Sequence, residues 1–359
     1  MRILLVSAIY PPDIGGPATY TKMLLDGLRS RGHTVHVIAG GRGPAEKGVT
    51  RIRRERPFFW IAALAKFAVA PRRFDIALAA GLYDSVALAW AKPWIAKVAG
   101  DEAWERAHRF GWTRDSIDSF QTRRYDRRIE GLKAIRNRSL RRARCVVVPS
   151  RYLQRMAKGW GVKAEVIPNA VDVGQRRSIA TEPVFVSAGR FVPHKGFLEL
   201  VRAFRGLQGV RLEIYGDGPE RNALEQAAHG LPVRILPPLP HEELMDRIAS
   251  ARALILNSTY EGLPHLLLES LALGTPVIAR RAGGTEELMT GCGLLVSSHE
   301  ELRQAIAKLH HDSELRDRLS TAGIKRSAAF SVDATVAATE AILHQAVLSR
   351  SARRCLREP

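Results

Sequence analysis

What most limits the folds open to this chain is an alternation running its whole length: short runs rich in β-branched residues, each followed by a stretch of helical periodicity. Strands separated by helices do not pair as hairpins. They pair in parallel, and the helices between them cross over the faces of the sheet. In the first half, residues 3–8, 35–39, 76–80 and 146–149 read as strands; in the second, residues 184–188, 211–215, 233–236, 253–256 and 276–279 do the same. Residues 169–182 are polar and aperiodic, and the linker is expected there. A length of 359 residues also favours two cores over one. The expected architecture is α/β, with two doubly wound domains over residues 1–172 and 173–331. A last helical pattern, over about residues 332–359, is expected to return to the first domain.

Charge divides unevenly between these halves. Residues 1–180 hold 34 Lys and Arg against 15 Asp and Glu, whereas residues 181–359 hold 21 of each sign, so the whole net charge of +19 belongs to the first half. Its densest segment, residues 122–144, has ten Arg and Lys against Asp126 and Glu130. That segment is either a solvated helix face or a contact for an anionic partner: nucleic acid, an anionic membrane face or a phosphorylated substrate. Cys145, Cys292 and Cys355 lie far apart without metal-ligand spacing, so neither a disulfide framework nor a zinc site is expected, and the compartment reads as reducing. The opening apolar run is short and meets Pro11 and Pro12 without a small-residue cleavage site, which reads as a buried strand rather than a signal peptide. Residues 58–69 are apolar but interrupted by Lys66, and fall short of the ~20 residues of a membrane span.

Candidate binding residues gather at strand-to-helix turns. After the first strand, Gly15 and Gly16 either let the backbone approach a phosphate at a helix start or simply make the tight turn; the Gly-x-Gly-x-x-Gly of dinucleotide-binding enzymes is absent there. After residues 184–188, Gly189-Arg190 and Lys195-Gly196 set a guanidinium and an ammonium at the two ends of one loop, a pair suited to clamping a diphosphate. His194 reads as a packing histidine. Gly216-Asp217-Gly218-Pro219 is a further turn, with Asp217 as a turn or capping residue.

The strongest local arrangement is Asn257-Ser258-Thr259-Tyr260-Glu261-Gly262-Leu263-Pro264-His265, running into a helix that holds Glu269. Pro264 suits the first helical turn, where its missing N–H costs nothing. The amides around Gly262, Leu263 and His265 would then face a pyrophosphate, Glu269 would accept from ribose hydroxyls, and Glu261 would face the sugar. Gly283-Gly284-Thr285-Glu286 would be one further loop on the same rim. No Asp-x-Asp pair occurs, so the usual carboxylate hold on a divalent metal is missing; cations and helix dipoles are expected in its place, with no metal or other cofactor.

In the order and spacing of its motifs the chain resembles the retaining family-4 glycosyltransferases, the glycosyl transferases group 1 of the GT-B fold. The resemblance is carried by Gly15-Gly16, Arg31-Gly32-His33-Thr34-Val35, Pro168-Asn169-Ala170-Val171-Asp172, Gly189-Arg190 with Lys195-Gly196, Gly216-Asp217-Gly218-Pro219, and the Glu-x7-Glu pair Glu261 and Glu269. It implies two Rossmann-like domains facing across a cleft, with a nucleotide-sugar donor on the second and the acceptor on the first. By the same resemblance Arg190 and Lys195 contact the donor diphosphate, Glu269 the ribose, and Glu261 with the backbone of residues 262–265 the sugar and phosphate. Gly15, Gly16, Gly189 and Gly216 are placed with the donor-binding set. Many members of the family carry a His at the end of an acceptor-domain strand. Here the segment reads Lys97-Val98-Ala99-Gly100-Asp101-Glu102-Ala103-Trp104-Glu105-Arg106, which leaves Asp101 either as its catalytic substitute or as the cap of the next helix.

The leading expectation is a metal-independent hexosyltransferase that moves a sugar from a nucleotide-sugar to a glycan or lipid-linked acceptor in surface polysaccharide synthesis, such as that of lipopolysaccharide. It would be cytoplasmic and peripheral on the inner face of the plasma membrane, where the basic domain and the apolar Phe58, Phe59 and Trp60 would meet anionic lipid. A non-catalytic sugar-nucleotide binder is the second reading, allowed by the missing His. A basic nucleic-acid-binding protein is the third; it would use residues 122–144, but the chain has no aromatic–basic RNA motif and no helix-turn-helix pattern.

Overall fold

The structure is a computed structural model that describes residues 1–13, 15–41, 43–52, 65–66, 68, 71, 73–174 and 182–355. Phe58, Phe59 and Trp60 lie outside the described residues, as do residues 175–181 of the expected linker. The chain divides into two compact units, Met1–Asn169 with Val332–Pro359, and Ala170–Ser331.

In the first unit β1 (Arg2–Ser7), β2 (Thr34–Gly40), β3 (Val49–Ile52), β4 (Ile76–Ala80), β5 (Trp94–Lys97), β6 (Cys145–Val148) and β7 (Ala164–Val166) form a parallel sheet in the order β3-β2-β1-β4-β5-β6-β7. In the second, β8 (Val184–Arg190), β9 (Arg211–Asp217), β10 (Val233–Leu236), β11 (Ala253–Leu256), β12 (Val277–Arg280) and β13 (Leu294–Val296) are parallel in the order β10-β9-β8-β11-β12-β13. Each sheet reverses its winding once, between β1 and β4 and between β8 and β11. Open α/β sheets take ligands beyond the carboxyl ends of the strands at such a reversal.

Both faces of the second sheet are covered, which is why its strands read as continuous apolar runs. Successive residues alternate between two cores: Val184, Val186, Leu254 and Leu256 pack on one side, Phe185 and Ile255 on the other. Four strands escape a reading by apolar pattern. β3, β7 and β13 are edge strands of three or four residues, and β5 ends in a lysine.

The helix Val332–Cys355 belongs to the first unit, where Val336, Leu343 and Ala346 join the core of β1 and the helix Gly16–Ser30. The approach is close at Gly27, where a Cβ would lie 2.5 Å from Val336 Cγ2. Arg31 donates to Glu340 Oε2 at 3.0 Å and pairs with Asp333, while His33 Nε2 lies 2.7 Å from Glu340 Oε1. His33, Glu340 and His344 meet at one corner. There the Met1 ammonium, 3.2 Å away, already faces His33 Nδ1, and Arg31 holds the other Glu340 oxygen. Those contacts make the corner a latch for the last helix, and they give the Arg31-Gly32-His33 motif a structural role. At the other junction the Val171 amide donates to the Phe330 carbonyl at 3.0 Å, tying together the two ends of the second unit.

Lys97 closes β5 and is buried; its Nζ donates to the Ile167 carbonyl at 2.7 Å and lies 4.8 Å from the Tyr20 ring centre. Burial lowers its pKa to about 7. The folded protein therefore sheds near pH 7 a proton that the unfolded chain keeps to about pH 10. Stability contributed by this group is lowest below pH 7 and rises through that window by about 1 kcal/mol per pH unit. Lys97→Met is expected to flatten the rise and to stabilise the protein below pH 7, measured by urea unfolding at pH 6 and pH 9. An unchanged slope would show that Lys97 keeps its charge in the fold.

Candidate functional site

β8 and β11 are neighbours at the reversal of the second sheet, so the loops leaving their carboxyl ends, residues 191–196 and 257–264, run side by side. Gly196 has φ +66°, and a Cβ there would stand 2.4 Å from the Asn257 carbonyl oxygen, so the contact excludes any side chain at that position. Asn257 Nδ2 donates to the Gly196 carbonyl at 2.9 Å. Thr259 donates to the His194 carbonyl twice, from its amide at 2.8 Å and its hydroxyl at 3.2 Å. These bonds bring Lys195 Nζ to 2.6 Å from Glu261 Oε1, with the two side chains 21% and 12% exposed. The Glu261 carbonyl in turn accepts from the Gly284 amide at 2.9 Å, which joins the loop after β12 to the same rim. Arg280, at the end of β12, pairs with Glu199 on the helix Phe197–Ala203.

Two features of the rim favour an anion. Arg190, the last residue of β8, is exposed, and its guanidinium makes no hydrogen bond or ion pair among the described residues. In addition, the helices that begin here have no side-chain cap: Phe197–Ala203 starts from Gly196, His265–Leu273 from Pro264, and Gly284–Leu288 from Gly283. Asp126, Ser150, Ser298 and Asp312 close their helices with a side-chain oxygen, while Tyr83–Ala89, Arg221–Ala228 and His241–Ser250 also start without one. Uncapped first-turn amides and the helix dipole favour an anion, and Lys195 and Arg190 add two charges of the right sign. Pro264 departs from expectation by one position: it is extended and precedes the helix, which begins at His265. Gly262, Leu263 and Pro264 are buried, and His265 is half-buried.

One turn inside that helix Glu269 is only 7% exposed; burial pushes its carboxyl up, and His241, 3.5 Å away, opposes the shift. Gly189 pairs with Gly216 across β8 and β9, where a Cβ on Gly216 would lie 1.9 Å from the Gly189 carbonyl oxygen. Strand contact alone therefore demands glycine at 216. Asp217 accepts from the Gly218 amide at 2.9 Å and from Arg221 Nε at 2.8 Å, as a turn residue does.

Gly15 and Gly16 belong to the first unit, whereas the rim residues belong to the second. Gly15, at φ +150°, precedes the helix Gly16–Ser30, another helix without a side-chain cap, at the end of β1 beside the first sheet's reversal. Asp101 is placed differently from a catalytic group. It is fully buried; Oδ1 accepts from the Ala103 and Trp104 amides at 3.0 and 3.3 Å, and Oδ2 from Gln121 at 2.9 Å and from Arg136 at 2.5 Å. Arg136 is buried too and lies 4.3 Å from the Trp160 ring centre. Of the two roles open to Asp101 these bonds describe the cap, and they leave no oxygen exposed to a substrate.

Glu199, Arg280 and His241 are contributors that motif reading passes over, and Asn257 and Thr259 stand inside the strongest motif without a role assigned to them. Asn257 and Thr259 carried a signal, since polar residues directly after an apolar strand tend to bond a neighbouring loop. The others meet their partners only through the fold.

Residues 172–326 match the family model described as glycosyl transferases group 1, and residues 14–175 match that of glycosyltransferase family 4. Two lipopolysaccharide core biosynthesis glycosyltransferases of Rhizobium meliloti, LpsE and LpsD, are each 34% identical over 179 residues, 46% of this chain and 53% and 52% of theirs. The chain thus spans about half the length of the curated relatives it matches. Among solved structures, sucrose-phosphate synthase from Thermosynechococcus elongatus aligns with a TM-score of 0.81 at 19% identity, over 97% of this chain and 99% of that one. Anabaena HepE in complex with UDP and glucose aligns with a TM-score of 0.75 at 18% identity, over 96% and 100%. With one model on each half, and a fold shared with these structures over almost the whole chain, the chain belongs to the group 1, family-4 glycosyltransferases of the GT-B fold.

Proposed function

We propose that this chain moves a sugar from a nucleotide-sugar to a hydroxyl of a glycan or lipid-linked acceptor, with retention of anomeric configuration, in the synthesis of a surface polysaccharide such as lipopolysaccharide. The observation that carries the reading is the Lys195–Glu261 pair, 2.6 Å apart, on a rim of uncapped helix starts at the reversal of the second sheet. Lys195 and Arg190 neutralise the donor phosphates, the first-turn amides of His265–Leu273 receive them, Glu269 accepts from the ribose, and Glu261 from the sugar hydroxyls. In the transfer the bond from the anomeric carbon to the diphosphate oxygen breaks. The acceptor oxygen bonds that carbon on the same face, and its proton passes to the departing phosphate oxygen. Stabilising that phosphate is then the protein's main contribution, and the cationic rim supports doing so without a metal. The complex of Anabaena HepE with UDP and glucose supports the donor class, and the lipopolysaccharide relatives support the product class.

A thermal-shift panel of UDP-, GDP- and ADP-sugars tests the reading. One of them is expected to raise Tm, because a ligand of the native state stabilises it. Wild type is then expected to transfer or hydrolyse that donor, and Glu261→Ala to lose both activities. A wild type that is shifted by a nucleotide-sugar yet neither transfers nor hydrolyses it would be a binder and not an enzyme.

The proposed place of work is the cytoplasmic face of an anionic membrane. On the first unit Phe110 and Trp112 stack with ring centres 5.0 Å apart while 59% and 38% exposed, and Arg128 lies over Trp112. Arg109, Arg114, Arg124 and Arg127 are exposed in the same stretch of chain. Aromatic rings flanked by arginines suit a headgroup layer. No helix among the described residues is long and apolar enough to cross a membrane. Vesicle flotation should rise with anionic lipid and fall with salt; flotation that ignores both would remove this part of the reading.

A further inference from the structure

We infer that His241 is a positioning residue of the nucleotide subsite: it holds the Glu269 carboxylate as an ionised acceptor for the cis-diol of a ribose, and so makes the site selective for ribonucleotides. The inference rests on the nucleotide-sugar reading above and extends it to a residue outside the family motifs.

Glu269 sits among fully buried neighbours, Leu268 and Ser270, on a helix packed at the centre of the second unit. Among the described residues its carboxylate accepts no hydrogen bond. Among the described residues its titratable neighbour is His241, whose Nε2 lies 3.5 Å from Oε1. An anion buried without donors is costly, and such a group ordinarily neutralises by taking up a proton. Burial pushes the Glu269 carboxyl in that direction, and a charge on His241 pulls it back. The difference matters chemically. Ionised, the group offers two acceptor oxygens to two hydroxyls, whereas protonated it offers a donor that a diol does not need.

The placement of His241 fits this task. It is the first residue of the helix His241–Ser250, fixed behind Pro240, in the segment that follows β10. Its side chain is 46% exposed, so one edge meets Glu269 while the rest of the ring stays open. The contact brings the segment after β10 to the same carboxyl-end rim as the loops after β8, β11 and β12.

The test compares binding of one nucleoside diphosphate, whichever of UDP, GDP and ADP the wild type binds most tightly, with binding of its 2′,3′-dideoxy form. Wild type is expected to prefer the ribonucleotide. His241→Ala is expected to weaken ribonucleotide binding by about tenfold, the scale of one hydrogen bond to a charged group, and to leave the dideoxy form unchanged. In steady state the loss should appear in the donor KM with little change in kcat, and His241→Arg, which places a permanent N–H donor and cation there, should recover part of it. Equal losses on both nucleotides, or none on either, would overturn the inference while leaving the donor site intact. A wild type that binds the two forms equally would instead remove Glu269 from the ribose, which is a failure of the underlying reading. Because His241 is half-exposed at a helix start, thermal unfolding of both variants should match wild type; a large drop in Tm for both would show that its role is in packing and would also overturn the inference.

Discussion

Lys195→Ala is expected to lower kcat/KM for sugar transfer by about 10²–10³-fold, the scale found when one preorganised donor to developing charge is removed. Lys195 is fixed by more than its own rotamer. Gly196 presses against Asn257, Thr259 clasps the His194 carbonyl, and Glu261 takes the ammonium at 2.6 Å. Truncation therefore removes a cation already in place. It also leaves Glu261, 12% exposed, as an unpaired anion where the diphosphate of the proposed donor would arrive. The loss thus has an attractive and a repulsive part, and a second substitution separates them. Adding Glu261→Gln to Lys195→Ala should restore donor affinity toward wild type while transfer stays impaired. A loss smaller than about threefold for Lys195→Ala, below any charge-assisted contact, would mean that the pair only fastens two loops.

The second large effect is on stability. Asp101→Ala removes the Oδ2 acceptor shared by Gln121 and Arg136 and, with Oδ1, the cap on the helix Glu102–Arg109. Breaking one side of a buried ion pair costs about 3–5 kcal/mol, because the remaining charge has no partner. The lost cap adds about 1 kcal/mol. Against a total stability of about 5–15 kcal/mol for a domain, that is enough to unfold a marginal first unit near physiological temperature. Urea unfolding reads the loss. Combining Asp101→Ala with Arg136→Met should recover much of it, since the stranded charge is then gone. If Asp101→Ala abolished transfer while unfolding at the wild-type denaturant concentration, Asp101 would belong with the reacting groups after all.

The contrast between Asp101 and Glu261 shows where sequence reasoning reaches and where it stops. Both are acidic residues beyond a strand end, and sequence supports a functional role for either. Glu261 lies in a loop between a strand and an uncapped helix, surrounded by glycine and proline, and that local grammar is legible because backbone geometry restricts which residues serve there. The fate of Asp101 depends on Arg136 and Gln121, 35 and 20 residues away, which meet it only through packing. The same division holds for the sheets. The central apolar strands announce themselves by composition, while β3, β7 and β13, short and at the edges, make few demands on their residues. The aromatic surface is also a matter of fold: Phe110 and Trp112 are ordinary core-type residues until the structure leaves them outside.

The return of the last helix to the first unit inverts the usual order of completion. On a ribosome the amino-terminal strands emerge early, yet the face of Gly16–Ser30 around Gly27 has no cover until Val336, Leu343 and Ala346 have been made. By then residues 170–331 have all been translated, with both of the ends that close through Val171 and Phe330 present. The half translated first is thus the half finished last, and it must wait with an apolar seam open while a whole neighbour is synthesised.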